Sequence, residues 1–233
     1  MQTIQQHVPR PTQRRSMAGC LLATVALVLT ASLAMPQTSV AAEMVVSGSG
    51  SFKPPSAQQL APLPDDSCLS RADLASGKWS FSVRYNDSMT DSNPDPYLGR
   101  YGGAFHAFSL VLGGTTINFP VDQALILVSD GGGGFPNRES IRLEATTSMP
   151  CGLVHLSWIQ INQQPQGTDL RGPAGVLASD ALPPYAKIAN LPVTSPFDRY
   201  LELRIDSRGV SSQPLLYLSS SKLSVTAGPA TAP

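Results

Sequence analysis

Charge is scarce in this chain of 233 residues: Asp, Glu, Lys and Arg together make up 14%, and no basic run occurs anywhere. A chain without a basic cluster lacks the electrostatic footprint of nucleic-acid binding and has nothing to hold it on an anionic membrane surface. Cysteine is almost missing. Cys20, Cys68 and Cys151 are the only three, and no Cys-x-x-Cys spacing exists to support a redox or metal-binding thiol pair. Helical periodicity is nearly absent as well: beyond the first forty residues, only 70–75 reads as a helical turn, with Ser70 and Asp73 at capping-box positions. No Gly-x-Ser-x-Gly elbow marks a nucleophile. The tetraglycine 131–134 is followed by neither Lys-Ser nor Lys-Thr, so it is expected to be a flexible connection rather than a phosphate loop.

What is present begins with a leader. Arg10, Arg14 and Arg15 precede an apolar run over 18–35, Pro36 breaks it, and Ser39, Ala41 and Ala42 supply small residues for a peptidase. Residues 1–42 read as a signal peptide cleaved near Ala42, because the run is shorter than the roughly 20 apolar residues of a membrane span. Cys20 stands at the start of the apolar segment rather than after its end, which excludes a lipoprotein box. The expected location is therefore secreted or periplasmic, with no membrane association after cleavage. The remaining chain carries 13 basic and 16 acidic residues, a net charge of −3. In an exported protein Cys68 and Cys151 are expected to form a disulfide, which the chain-entropy view values at about 4–5 kcal/mol for so long a loop.

Residues 43–67, rich in Ser, Gly, Pro and Gln, read as a flexible N-terminal arm, and 228–233 as a disordered tail. Between them, 68–227 reads as one domain. The stretch 99–119 organises it: Phe108, Leu110 and Leu112 alternate before a Gly113-Gly114 turn, and Ile117 and Phe119 alternate after it, as in a β-hairpin. Trp79, Phe81, Val83 and Tyr85 alternate with Ser80, Ser82 and Arg84. Residues 124–128 form a continuous apolar run, suited to a strand covered on both sides, and 153–161 another, containing Trp158. Ile141, Leu143 and Ala145, then Leu201, Leu203 and Ile205, alternate with polar residues, and shorter apolar runs follow at 215–218 and 223–225. Eight or nine strands without amphipathic helices predict an all-β fold, an antiparallel two-sheet β-sandwich of jelly-roll type. The proline-rich stretch 163–197 is expected to be a structured excursion packed over a sheet edge.

Tyr85-x-Asp87, Asp91-Ser92-Asn93-Pro94, Gly99-x-Tyr101-x-Gly103-Ala104-Phe105 and Gly175-x-Leu177-x-Ser179-Asp180-x-Leu182-Pro183 together resemble a group of secreted bacterial β-rich proteins. Many members of that group carry a C-terminal Pro-Glu-Pro (PEP-CTERM) sorting segment. This chain ends in Gly228-Pro229-Ala230-Thr231-Ala232-Pro233 instead, so the group's surface anchoring is not expected here. The resemblance implies a fold and a compartment and carries no reaction with it.

Asp87, Asp91, Asn93 and Asp95 place oxygens at near-alternate positions, which would suit calcium. The EF-hand requirements fail, with Pro96 and Gly102 where Gly and Glu are needed, and the competing reading is a loop whose Asx side chains bond their own backbone. His106 and His155 are expected in or beside the core with satisfied ring nitrogens, and Glu144 and Glu202 in outward ion pairs with Arg142 and Arg204. Tyr97, Tyr101, Phe135 and Tyr185 fall in predicted loops where they could stack on sugars. The expected function is a non-enzymatic surface, matrix or ligand-binding role, with calcium or a glycan as ligand. The alternative is a hydrolase of a cell-wall or extracellular polymer, built on one of the two His.

Overall fold

Two antiparallel sheets face each other, as the alternation predicts. The structure, a computed structural model, describes residues 43–61, 63, 69–103, 105–150, 152–182, 187, 191–195, 197–206 and 214–230. The leader, Cys68 and Cys151 lie outside these residues, and with them the expected disulfide. The strands are β1 (Glu43–Ser51), β2 (Lys78–Asn86), β3 (Leu98–Gly102), β4 (Phe105–Leu112), β5 (Thr115–Asn118), β6 (Ala124–Asp130), β7 (Arg138–Met149), β8 (Gly152–Gln163), β9 (Arg199–Asp206), β10 (Pro214–Ser220) and β11 (Leu223–Pro229). The first sheet runs β11-β1-β2-β4-β5 and the second β10-β9-β8-β7-β6-β3. Two short helices, α1 (Ala57–Leu60) and α2 (Arg71–Ser76), join β1 to β2, and among the described residues no helix is long and apolar enough to cross a membrane.

The expected N-terminal arm is a correction. Residues 43–51 are β1, paired on one side with β2 and on the other with β11, so the expected tail begins inside a strand as well. The glycines that make β1 resemble a linker have a packing reason. A Cβ on Gly48 would lie 2.4 Å from the Phe81 ring and one on Gly50 2.7 Å from the Trp79 ring, each aromatic being directly opposite on β2. Bare glycine backbone lets those rings lie across the sheet. They continue into the core as a chain of rings, Phe52 to Trp79 at 5.8 Å, Trp79 to Phe81 at 6.1 Å and Phe81 to Trp158 of the opposite sheet at 6.1 Å.

The stretch 99–119 also divides between layers. Leu98–Gly102 joins the second sheet beside β6, whereas β4 and β5 form the predicted hairpin in the first. At its turn, α2 supplies a clamp. The Asp73 carboxylate accepts the Gly114 N–H at 2.6 Å, the Thr115 hydroxyl at 2.7 Å and the Ser70 hydroxyl at 2.7 Å, while the Ser70 oxygen caps the helix by accepting the Asp73 N–H. Gly113 has φ +60°, and a Cβ there would meet Asp73 at 2.5 Å, so both backbone shape and close approach require glycine.

The described part of the excursion after β8 is fastened by acids buried at one end of the second sheet. Glu139, fully buried, accepts the Leu177 N–H at 2.7 Å and the Asn162 side-chain amide at 2.6 Å. Its cross-strand neighbour Asp130, 1% exposed, accepts the Gly172 N–H at 2.8 Å through one oxygen, and its other oxygen has no partner. Further on, Gln160 donates to the Leu191 carbonyl at 2.9 Å, and the Tyr101 hydroxyl donates to the Asp180 carbonyl at 2.9 Å, bringing the excursion against edge strand β3.

Two outcomes follow from these acids. The hydrogen bond from Gly114, then those from Thr115 and Ser70, hold the Asp73 carboxyl down at about 2, so its stabilisation is complete above the unfolded carboxylate range and fades as pH falls towards 2. Urea melts should show Asp73→Ala less stable by about 1–3 kcal/mol at pH 7, with a flatter loss between pH 4 and 2 than the wild type; equal acid profiles would disprove the clamp. Burial pushes the Asp130 carboxyl the other way, up, so its contribution is present at low pH and is lost as pH rises through its folded value. Asp130→Asn keeps an acceptor for Gly172 and should be more stable than wild type at pH 7, with the gap closing at acid pH; a destabilised variant at pH 7 would contradict the assignment.

Candidate binding face on the second sheet

The outer face of the second sheet breaks the usual polar-out rule. Leu125 and Leu127 of β6 and Ile159 and Ile161 of β8 point outward, away from the core; Leu125, Leu127 and Ile161 are half-buried, and Ile159 is buried at 9% exposure. The register places Leu127, Arg142, Ile159 and Tyr200 in one row across four strands. The next row is Leu125, Glu144, Ser157, Glu202 and Ser219, and the one after it Thr146, His155, Arg204 and Tyr217. An apolar floor thus grades into a polar end. Exposed rings stand around it: Phe135 at 51%, Tyr217 at 46% and Phe197 at 77%.

The polar end is tied together. Arg142 meets Glu144 at 3.1 Å, and the Ser157 hydroxyl donates to the same Glu144 oxygen at 3.5 Å. Arg204 and His155 both meet one oxygen of Asp206 at 3.0 Å, and the Tyr217 hydroxyl donates to Glu202. Loss of solvent, followed by the bond to Glu202, pushes the Tyr217 hydroxyl up to about 12, so it stays a donor. Burial raises the Tyr200 hydroxyl too, with Glu202 adding and Arg142 and Arg138 opposing. Arg138 lies over the Phe135 ring, 4.3 Å from its centroid. A shallow groove of 280 Å³ runs between these groups, and a second of 340 Å³ continues it past Tyr200 to Tyr217 and Phe197.

The acidic loop is elsewhere, beside β3. Asp91 Oδ1 accepts the Asn93 N–H at 2.8 Å and the Arg100 N–H at 2.7 Å, Asn93 Oδ1 accepts the Asp95 N–H at 3.0 Å, and Asp95 Oδ1 accepts the Tyr97 N–H at 3.0 Å. This is a ladder of Asx turns, the competing reading from the sequence. Asp95 Oδ2 also accepts the Gly133 N–H at 3.3 Å. Asp87 precedes this ladder, and among the described residues no group of three or more His, Cys, Asp or Glu is disposed to hold a metal ion. The tetraglycine is shaped rather than merely flexible: Gly131, Gly133 and Gly134 have positive φ, and a Cβ on Gly132 would lie 2.2 Å from the Tyr97 carbonyl.

His106 corrects its expectation. The register of β4 against β2 shifts between Arg84 and Tyr85, a bulge that turns His106 outward to accept or donate at Glu43 Oε1, 2.8 Å away. The bond from Arg84, and next that from His106, lower the Glu43 carboxyl. His155 is half-buried at Asp206, so both His sit on acids. Arg142 pairs with Glu144 as expected, but Arg204 turns to Asp206 and leaves Glu202 to Tyr217. Of the predicted sugar-stacking rings only Phe135 reaches the face. Tyr101 is in the core, Tyr97 lies under the Arg171 guanidinium, and Tyr185 is outside the described residues. Tyr200 and Tyr217, which are not among the predicted rings, stand on strands rather than loops, and the sequence signal for Tyr217 is its outward position between Leu216 and Leu218.

No known protein family, no curated protein and no solved structure matches the chain.

Removing the Asp91 carboxylate strips two backbone N–H groups of their acceptor, so Asp91→Ala should lower stability by about 1–3 kcal/mol in denaturant melts. With the Oδ1 atoms of the ladder committed to the backbone, millimolar calcium should leave the melting temperature unchanged to within about 1 °C; a rise of several degrees that the Asp91→Ala, Asp95→Ala double variant abolishes would restore the calcium reading.

Proposed function

We propose that this is an exported, non-enzymatic β-sandwich whose second sheet binds a glycan on its outer face. The observation that carries the reading is a groove floored by half-buried Leu127 and Ile161 and by Ile159, beside Tyr200, and lined as well by hydrogen-bonding side chains. Sugar rings have apolar faces and hydroxyl edges. Tyrosine offers a flat ring for the first, and hydroxyls and paired charges answer the second. The leader and the resemblance to secreted β-rich proteins support export to where such polymers occur. A partly exposed apolar floor on a soluble domain is itself a sign of a binding surface.

A second reading, hydrolysis of an extracellular polymer, has one observation in its favour: His155 rests on Asp206 and shares an outward face with Ser157, two residues along. The Ser157 hydroxyl points to Glu144 instead of supplying a nucleophile to the imidazole. If hydrolysis occurs there, Ser157→Ala abolishes product release from a labelled polymer without weakening binding.

Affinity electrophoresis through gels containing single polysaccharides tests the binding reading. Wild-type protein should be retarded by at least one of them, and Tyr200→Ala or Tyr217→Ala should each weaken retardation several-fold, since loss of an aromatic contact costs about 1 kcal/mol, with melting temperatures little changed. Mobility that no polysaccharide alters, or variants retarded as strongly as wild type, would refute it.

A further inference from the structure

We infer that the polymer taken by this face is anionic, a saccharide chain bearing carboxylate or sulfate groups, and that Arg138 reads those groups. The inference rests on the glycan reading and adds the ligand's charge. Two arginines, Arg138 and Arg142, line the groove of 280 Å³, and no carboxylate does. Arg142 is neutralised from outside the groove by Glu144, and Arg204, further along the face, by Asp206. Arg138 is different. No carboxylate meets it among the described residues, and its Nε is buried without a hydrogen-bond partner. The guanidinium lies over the Phe135 ring, 4.3 Å from its centroid, and no acid among the described residues engages its fork of donors.

A planar, unpaired guanidinium matches the two oxygens of a carboxylate or sulfate, and its terminal Nη groups, rather than the buried Nε, are the donors that a ligand in the groove would meet. Around it the groove supplies the Ser129 and Ser140 hydroxyls for sugar oxygens and the Tyr200 ring for a sugar face. The neutral parts of the site thus hold the ring while Arg138 holds the acid. The whole chain carries 16 basic and 16 acidic residues and no net formal charge, so long-range attraction does not explain anion binding, and the local cation must.

Isothermal titration with polygalacturonate, dextran sulfate and neutral dextran, each at about 50 and about 300 mM salt, tests this on the wild-type protein. Tighter binding of an acidic polymer than of dextran, weakening as salt rises, is the expected result. Preference for polygalacturonate assigns a carboxylate ligand, and preference for dextran sulfate a sulfate. Arg138→Gln should lower affinity for the preferred acidic polymer at least about tenfold and leave dextran binding unchanged, and Arg138→Lys should recover part of the loss. Equal binding of neutral and acidic polymers, or an Arg138→Gln variant that binds the acidic polymer like wild type, would overturn the inference and leave the glycan reading standing. If no polysaccharide binds and sedimentation instead shows a second copy of the chain closing over this face, both fall. The comparison among polymers needs no variant, so it decides the matter even if Arg138→Gln folds poorly.

Discussion

The second sheet carries apolar side chains at one end of its outer face as well as across its inner face, and the first sheet closes over the inner face alone. Its inner face, with Ile126, Ile141, Leu143, Val154, Leu156, Trp158 and Leu203 among the most buried residues, closes against Trp79, Phe81, Phe108 and Leu110 of the first sheet. That burial drives folding. The outer face repeats apolar side chains: Leu125, Leu127 and Ile161 are half-buried, and Ile159 is 9% exposed. In an ordinary sandwich those positions are polar, as they are on the first sheet, where Ser47, Ser82 and Ser109 stand in register. The difference between the two outer faces is the main reason to place function on the second.

The other features act by holding that face in shape. Asp73 fastens the β4–β5 hairpin to α2, so the first sheet presents a fixed inner surface for the second to pack on. Asp130 and Glu139 fasten the proline-rich excursion at the end of the second sheet nearest Phe135 and Arg138, and the tetraglycine is shaped by the Tyr97 backbone against it. The acidic loop serves the same end through Gly133. Buried carboxylates here do structural work, satisfying backbone N–H groups that an irregular segment would otherwise bury unpaired.

Much of this fold is legible in the chain. The alternations of β2, β4, β7 and β9 identify their inner faces correctly, because a half-buried strand has a period of two whatever its neighbours are. β1 and β3 escape such reading for a physical reason: their glycines answer to aromatic rings and to the Asp180 carbonyl on other segments, contacts that no local pattern encodes. His106 escapes because one bulge inverts the face of every residue beyond it. The continuous apolar runs over 124–128 and 153–161 do signal strands apolar on both sides. Coverage by the chain itself reaches Ile159 but is only partial at Leu125, Leu127 and Ile161, and those half-buried side chains mark the candidate site. Tyr200, Tyr217 and Arg138 become a group only through the register of four strands.

The account therefore depends on which side of the second sheet a ligand touches. Methyl-resolved NMR of isoleucine- and leucine-labelled protein, titrated with the acidic polymer, reads this residue by residue. The predicted result is that the methyl signals of Leu125, Leu127, Ile159 and Ile161 shift progressively while those of Ile126, Ile141 and Leu143, across the same strands, stay in place. Shifts confined to the outer face of the first sheet, at Val45 or Val111 in a valine-labelled sample, or no shifts at saturating polymer, would contradict it.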